Sequence, residues 1–293
     1  MYLSHFGLQE LPFTITPDTE FFMSRAGYQD ALNVLTIALR SGEGFIKITG
    51  EVGVGKTLMC RKLIKTLPDN FDTAYIYNPY LKADSLLFSV ASELGIKYKA
   101  NIDQNELLRR ITTKLEENHS NDKKTILCLD EVQAMPISTL EVLRLLTNLE
   151  TEKDKLLQVV LFGQPELDSV LDHPSIRQLK QRITFSYELL PLNRAALSRY
   201  VQHRLLVAGY KGNNLFSKQA LNLVYQASNG IPRLINIICH KAMIAAYGEG
   251  ETSIKPAHVR AATSDTLNAQ RTRKRGFRIW FPAISRWVAE RAL

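Results

Sequence analysis

Gly50-Glu51-Val52-Gly53-Val54-Gly55-Lys56-Thr57 decides the reading of this 293-residue chain. The stretch satisfies G-x-x-x-x-G-K-[ST], and its flanks are those the pattern requires. Phe45-Ile46-Lys47-Ile48-Thr49 reads as a buried strand, and Leu58-Met59-Cys60-Arg61-Lys62-Leu63-Ile64 has helical apolar spacing. A strand, a glycine-bearing turn and a helix start make a phosphate cradle. Glycines let backbone N–H groups converge on anionic oxygens, and the helix N-terminus adds partial positive charge. The cradle is expected to run from Gly50 through Glu51, Val52, Gly53, Val54, Gly55, Lys56 and Thr57 to Leu58. Lys56 would reach the β- and γ-phosphates, and the Thr57 hydroxyl would hold Mg²⁺. The expected ligands are therefore ATP and Mg²⁺.

Composition sets the outer bounds. Hydrophobic content of 45% and charged content of 23% are ordinary for a globular protein. The formal charge of +8 is unevenly placed. Residues 271–293 carry seven of the 37 basic and one of the 29 acidic residues, which leaves residues 1–270 at +2. A nearly neutral body argues against nucleic acid as its partner, because counterion release needs clustered cations. Cys60, Cys128 and Cys239 sit far apart within apolar runs, without metal-ligand spacing, and read as buried thiols of a cytoplasmic protein. The N-terminus lacks the order of a signal peptide, and no apolar run approaches a membrane span.

Taken in order, the chain opens with an aromatic, proline-rich lead, Phe6 to Phe22, expected to be extended and to pack against the domain, either walling an adenine ring or filling the core. Gln29–Arg40 reads as a helix. Past the cradle, Asp72–Asn78 is β-rich, and Ala83–Leu94 and Gln104–Glu117 are helical. Thr125-Ile126-Leu127-Cys128-Leu129 is a buried strand running into Asp130-Glu131. In a phosphate-loop nucleotidase Asp130 would hold the magnesium and Glu131 would polarise the attacking water. Ile137–Glu150 is an amphipathic helix. Leu156–Phe162 is a further strand, and at its tip Gln164 would reach the γ-phosphate and the lytic water. Arg177 and Arg182 flank a helix before a fifth strand, Ile183–Tyr187, and Arg182 would project across a subunit interface.

Alternating strands and helices through about residue 190 imply an α/β fold, a parallel sheet with helices on both faces. Beyond Pro191 the chain is helical: Arg194–Ala208, Ser217–Ser228, Pro232–Tyr247 and Pro256–Asn268. Pro232 suits a first helical position, so Arg233 would lie in a first turn, free to fold onto the phosphates. The expected division is an α/β nucleotide-binding domain with its lead (1–190), a helical lid (191–269) and a basic aromatic tail (270–293).

Gly50–Thr57, Asp130-Glu131, Gln164, Arg182 and Gly230-Ile231-Pro232-Arg233 together resemble the AAA+ ATPases. Phe6-Gly7-Leu8 with Pro12-Phe13 and Thr16-Pro17-Asp18, then Thr49–Gly53 and Phe162–Leu167, look like the ExeA (general secretion pathway A) family, over roughly residues 1–265. That resemblance implies an oligomeric bacterial ATPase that helps build type II secretion or type IV pilus machinery at the inner membrane. Longer relatives continue into a membrane span and a peptidoglycan-binding region. This chain is similar instead to the short ATPases of mannose-sensitive haemagglutinin (MSHA) pilus biogenesis. The runner-up is a DNA-associated AAA+ ATPase such as a transposition helper. In the tail, Arg271-Thr272-Arg273-Lys274-Arg275 precedes Phe277, Trp280, Phe281 and Trp287. That fits an anchor on an anionic membrane surface, with docking to a partner protein or a disordered tail as alternatives.

Overall fold

Every position of Phe45–Gly50 is buried, as expected of a strand enclosed on both faces. The computed structural model describes residues 2–23, 26–78, 80–99, 101–266 and 269. In chain order the elements are α1 (Leu3–Phe6), α2 (Ala26–Arg40), β1 (Phe45–Gly50), α3 (Lys56–Thr66), β2 (Phe71–Ile76), α4 (Ala83–Glu93), α5 (Gln104–Ser120), β3 (Lys124–Leu129) and α6 (Ile137–Leu146). They continue with β4 (Leu157–Gly163), α7 (Leu167–Leu171), α8 (Arg177–Gln181), β5 (Phe185–Leu189), α9 (Arg194–Val207), α10 (Lys218–Ser228), α11 (Pro232–Gly248) and α12 (Pro256–Ser264).

The strands form one sheet in the order β2-β3-β4-β1-β5, with every pairing parallel. The two-residue period of the strands divides the core between its faces. Phe45, Leu127, Leu129, Val159 and Leu161 turn to one side, against α4, α5 and α6. Ile46, Ile48, Ile126, Cys128, Val160 and Phe162 turn to the other, against α2 and α3. Parallel strands place all carboxyl ends on one edge. Because β3, β4 and β1 are neighbours, whatever follows them meets there.

Helices α9 to α12 close on a third cluster. Asn193 and Ser217 cap α9 and α10 by accepting from the amides of Ala196 and Ala220, and Pro232 opens α11. The lead enters this third cluster through Tyr2, Phe6, Leu8, Phe13 and Phe21. Its start is also a helical turn, α1, rather than extended chain. The expectation grouped the lead with the α/β domain; Tyr2, Phe6, Phe13 and Phe21 fill the core of the helices, while Phe22 packs against α2 and α3. Arg204 of α9 fixes it there. Buried, it donates through Nε to Pro12 O and through a guanidinium nitrogen to Thr14 Oγ1 at 3.2 Å, and its plane lies over the Phe21 ring at 4.4 Å.

Other boundaries moved. α6 stops at Leu146 instead of reaching Glu150, because Glu150 pairs with Lys155 in an antiparallel bridge. β5 begins two residues later than expected, with Leu189 opposite Gly50. α12 ends at Ser264, short of Asn268. The expected basic tail lies outside the described residues. Among the described residues no helix is long and apolar enough to cross a membrane.

Candidate nucleotide site

The phosphate loop leaves β1 at Gly50 and enters α3 at Lys56. Its glycines answer to geometry. A Cβ at Gly50 would meet Leu189 O at 2.8 Å, so β5 could not lie so close beside it. Gly55 caps α3 with φ +107°, a conformation L side chains rarely adopt. Lys56 is buried, and its ammonium donates to Gly50 O at 2.7 Å and Glu51 O at 3.2 Å, inside the loop at the helix N-terminus. Burial pushes its pKa down, against the pull of the Glu131, Asp130, Glu51 and Glu166 charges.

The acid pair meets the loop across the sheet edge. Thr57 Oγ1 donates to Asp130 Oδ2 at 2.6 Å, joining the first turn of α3 to the end of β3. The Tyr75 hydroxyl, on β2, donates to the same oxygen at 3.4 Å, and the Glu131 amide to Asp130 Oδ1 at 2.9 Å. Asp130 is buried, which raises its pKa despite the Thr57 hydrogen bond.

Glu131 has a left-handed backbone, φ 53°, unusual for a residue with a Cβ and typical of places where a fold fixes a side chain for use. Its Oε2 accepts from Gln133 Nε2 at 2.7 Å and from Gln164 Nε2 at 3.0 Å. Burial acts to raise the Glu131 carboxyl; the hydrogen bonds from Gln164 and Gln133 and the Lys56 charge outweigh it, so it lies below the usual carboxylate range.

Arg233 reaches the loop from the helices. Its amide donates to Gly53 O at 3.1 Å, and a Cβ on Gly53 would stand 2.7 Å from Arg233 Cβ. Its guanidinium has no hydrogen bond or ion pair among the described residues. The structure thus gathers Gly50–Leu58, Asp130, Glu131, Gln164 and Arg233. Arg182 is not among them. It caps α8 just ahead of β5, whose Phe185 pairs with Ile46 at the beginning of β1, the far edge from the loop. There it donates to Thr147 Oγ1 at 2.9 Å and to Asn148 Oδ1.

Gln133 and Tyr75 were not foreseen. Gln133 lies in a short turn after the acid pair, where the sequence offered only its proximity to Glu131. Tyr75 needed the sheet order, which brings β2 beside β3.

Among the described residues no three His, Cys, Asp or Glu side chains form a metal cage. The donors present, one hydroxyl and one carboxylate meeting at 2.6 Å, are hard oxygens. They suit a magnesium ion that takes its other ligands from water and phosphate.

These features define the class the chain resembles: its fold and phosphate-loop site are like those of an AAA+ ATPase domain. The AAA domain family matches residues 39–171. The fold is shared with Cdc6p of Pyrobaculum aerophilum (TM-score 0.67, 22% identity, 85% of this chain and 71% of that one). It is also shared with the Aeropyrum pernix ORC2 protein (TM-score 0.63, 16% identity, 85% and 72%). A Thermotoga maritima RuvB variant follows (TM-score 0.57, 13% identity, 87% and 73%). More particularly, the chain is similar to the ExeA/GspA ATPases. It is 43% identical over 254 residues to general secretion pathway protein A of Aeromonas hydrophila. That match covers 87% of this chain and 46% of the relative, so the chain spans about half the relative's length.

Proposed function

We propose that the chain binds and hydrolyses Mg·ATP at the β3–β4–β1 edge and uses the cycle to drive assembly of an envelope machine, type II secretion or a type IV pilus of the MSHA kind, at the cytoplasmic face of the inner membrane. The observation that carries the chemistry is the Thr57–Asp130 contact at 2.6 Å, with the Glu131 carboxylate held one residue further on.

Lys56 and the loop amides hold the phosphates. Thr57 and Asp130 would hold the metal, which would supply charge neutralisation at the phosphates. Glu131, kept ionised by its amide donors, takes the proton of the attacking water. Gln164 orients that water and senses the γ-phosphate. Arg233 brings the lid, residues 191–269, onto the loop, and Arg182 enters the site of a neighbouring subunit in a homo-oligomer. Hydrolysis changes what Arg233 and Gln164 hold, and the lid moves against the sheet.

The secretion assignment is supported by the 43% identity to general secretion pathway protein A. Residues 271–293 carry the proposed contact with anionic lipid or an inner-membrane partner. The test is ATP turnover by wild type and Glu131→Gln, with anionic vesicles or duplex DNA added. Glu131→Gln should bind ATP and turn over at least about 100-fold more slowly. Vesicle recruitment supports the envelope reading. Stimulation by DNA alone replaces it with a DNA-associated ATPase.

A further inference from the structure

Gln133 lies two residues past Glu131, in the single turn Val132–Ala134, and its amide works in both directions. Nε2 donates to Glu131 Oε2 at 2.7 Å, while Oε1 accepts the Gln164 amide N–H at 2.9 Å. Gln164 in turn donates its side-chain Nε2 to the same Glu131 oxygen at 3.0 Å. Three residues at the ends of two neighbouring strands therefore close a ring, and one carboxylate oxygen takes both side-chain donors. The other oxygen, Oε1, has no protein donor among the described residues and is the one open to a water proton.

The two glutamines are not equivalent. Gln164 follows β4 directly and has a second use, because an amide at that tip can turn to a terminal phosphate. When it does, Glu131 loses one of its two donors. A carboxylate turns easily about its last bond, so with one donor gone its aim rests on whatever remains. Gln133 remains. It is held from the other side by a main-chain N–H that does not move when the Gln164 side chain does.

We propose that Gln133 is the positioning residue of the hydrolytic base. It keeps Glu131 Oε2 engaged and Oε1 directed at water while Gln164 transfers its amide to the phosphate. It also ties that transfer to Glu131 through the tip of β4. This inference rests on Glu131 being the base.

The test uses the full chain, with ATP turnover and equilibrium binding of a fluorescent ATP analogue measured together. Gln133→Glu keeps an oxygen for the Gln164 N–H and replaces the donor to Glu131 with a repelling carboxylate. Gln133→Leu removes both contacts. The expected result is a kcat lowered by about 10- to 100-fold in each, the scale of one lost hydrogen bond to a charged group, with nucleotide Kd within twofold of wild type. A purely structural bracing of the β4 tip predicts instead that Gln133→Glu turns over normally and Gln133→Leu alone suffers. That outcome, or a loss confined to Kd, overturns the proposal. Glu131→Gln separates the two levels. If it turns over like wild type, the reading of Glu131 fails. If it is inactive and Gln133→Glu is normal, only the role of Gln133 fails.

Discussion

The amide of Arg233, in the first turn of α11, donates to the carbonyl oxygen of Gly53 in the phosphate loop at 3.1 Å. The helical lid is therefore joined to the loop by main chain, and any side chain at residue 53 stands between them. Gly53 has φ +82°, and a Cβ there would come within 2.7 Å of Arg233 Cβ and 3.2 Å of Ile231 Cγ2. Gly53→Ala should displace the lid as well as strain the loop. Left-handed strain alone costs about 1–2 kcal/mol, so nucleotide affinity should fall by about tenfold or more. Gly250→Ala is the control: φ there is +71° with nothing within 4 Å of the added carbon. It should lose stability and keep its affinity. Equal affinities for the two variants in a titration with labelled ATP would remove the loop–lid contact from the binding argument.

The lead depends on one buried cation. Among the described residues Arg204 has no carboxylate partner; its charge is met by Pro12 O, the Thr14 and Tyr200 hydroxyls and the face of Phe21. Arg204→Met keeps much of the volume and removes every one of those interactions. The loss should be about 3 kcal/mol, from hydrogen bonds to a charged group and a desolvated cation–π contact. Chemical denaturation measures it, and limited proteolysis should show new cleavage between residues 8 and 21. A variant as stable and as protected as wild type would mean that the aromatic residues and the remaining hydrogen bonds, such as Asn236 to Thr14 O, seat the lead.

What the sequence could disclose follows from how local each feature is. The cradle, the acid pair behind β3 and the position of Arg233 were legible because a strand, a turn chemistry and a helix start each lie within a few consecutive residues. The partners of those residues were not. Gln133 acquires meaning only when β4 brings Gln164 beside it, and Tyr75 only when β2 pairs with β3. The lead carries the same lesson at larger scale. Phe13 and Phe21 announce burial, yet nothing in their spacing says that α9 to α12 supply the other half of their core. Likewise α6 ends early through the bridge of Glu150 to Lys155, which no helical period reports.

The buried thiols and phenols set the alkaline limit of the fold. Cys60, Cys128 and Cys239 are all buried. Burial pushes Cys60 and Cys239 above their ordinary 9.0, and the neighbouring Cys128 adds to the rise at Cys60. Tyr2 is pushed up to about 12 by burial, and Tyr75 is raised by burial and by Asp130. Groups raised on folding hold protons that the unfolded chain releases. Their stabilisation is complete below the ordinary values and is lost as pH rises above about 9. Lys56, lowered by burial, works in the opposite sense and offsets part of this. Urea midpoints should therefore fall between pH 8 and pH 10.5. A thiol reagent at neutral pH should label none of the three cysteines until denaturant is added. Rapid native labelling would contradict the packing of α3 on the sheet or of α11 within the helical cluster.

Arg182 and Arg177 bracket α8 and differ in what they hold. Arg182 donates to Thr147 Oγ1 and Asn148 Oδ1 at the end of α6, whereas Arg177 is exposed, without a hydrogen bond or ion pair among the described residues. Arg182→Ala should cost about 1 kcal/mol of stability and Arg177→Ala almost none. The proposed role across a subunit boundary has a sharper test. A Glu131→Gln subunit retains Arg182 but lacks the base, and an Arg182→Ala subunit retains the base but lacks the arginine. Each alone should be nearly inactive. Mixed, a Glu131→Gln neighbour can lend Arg182 to an intact Glu131, so ATP turnover should reappear and rise with the mixing ratio to a maximum. Recovery with Arg177→Ala in place of Arg182→Ala would transfer the assignment to Arg177. If neither mixture recovers activity, Arg182 serves the joint between α6 and α8 rather than a neighbour's phosphate.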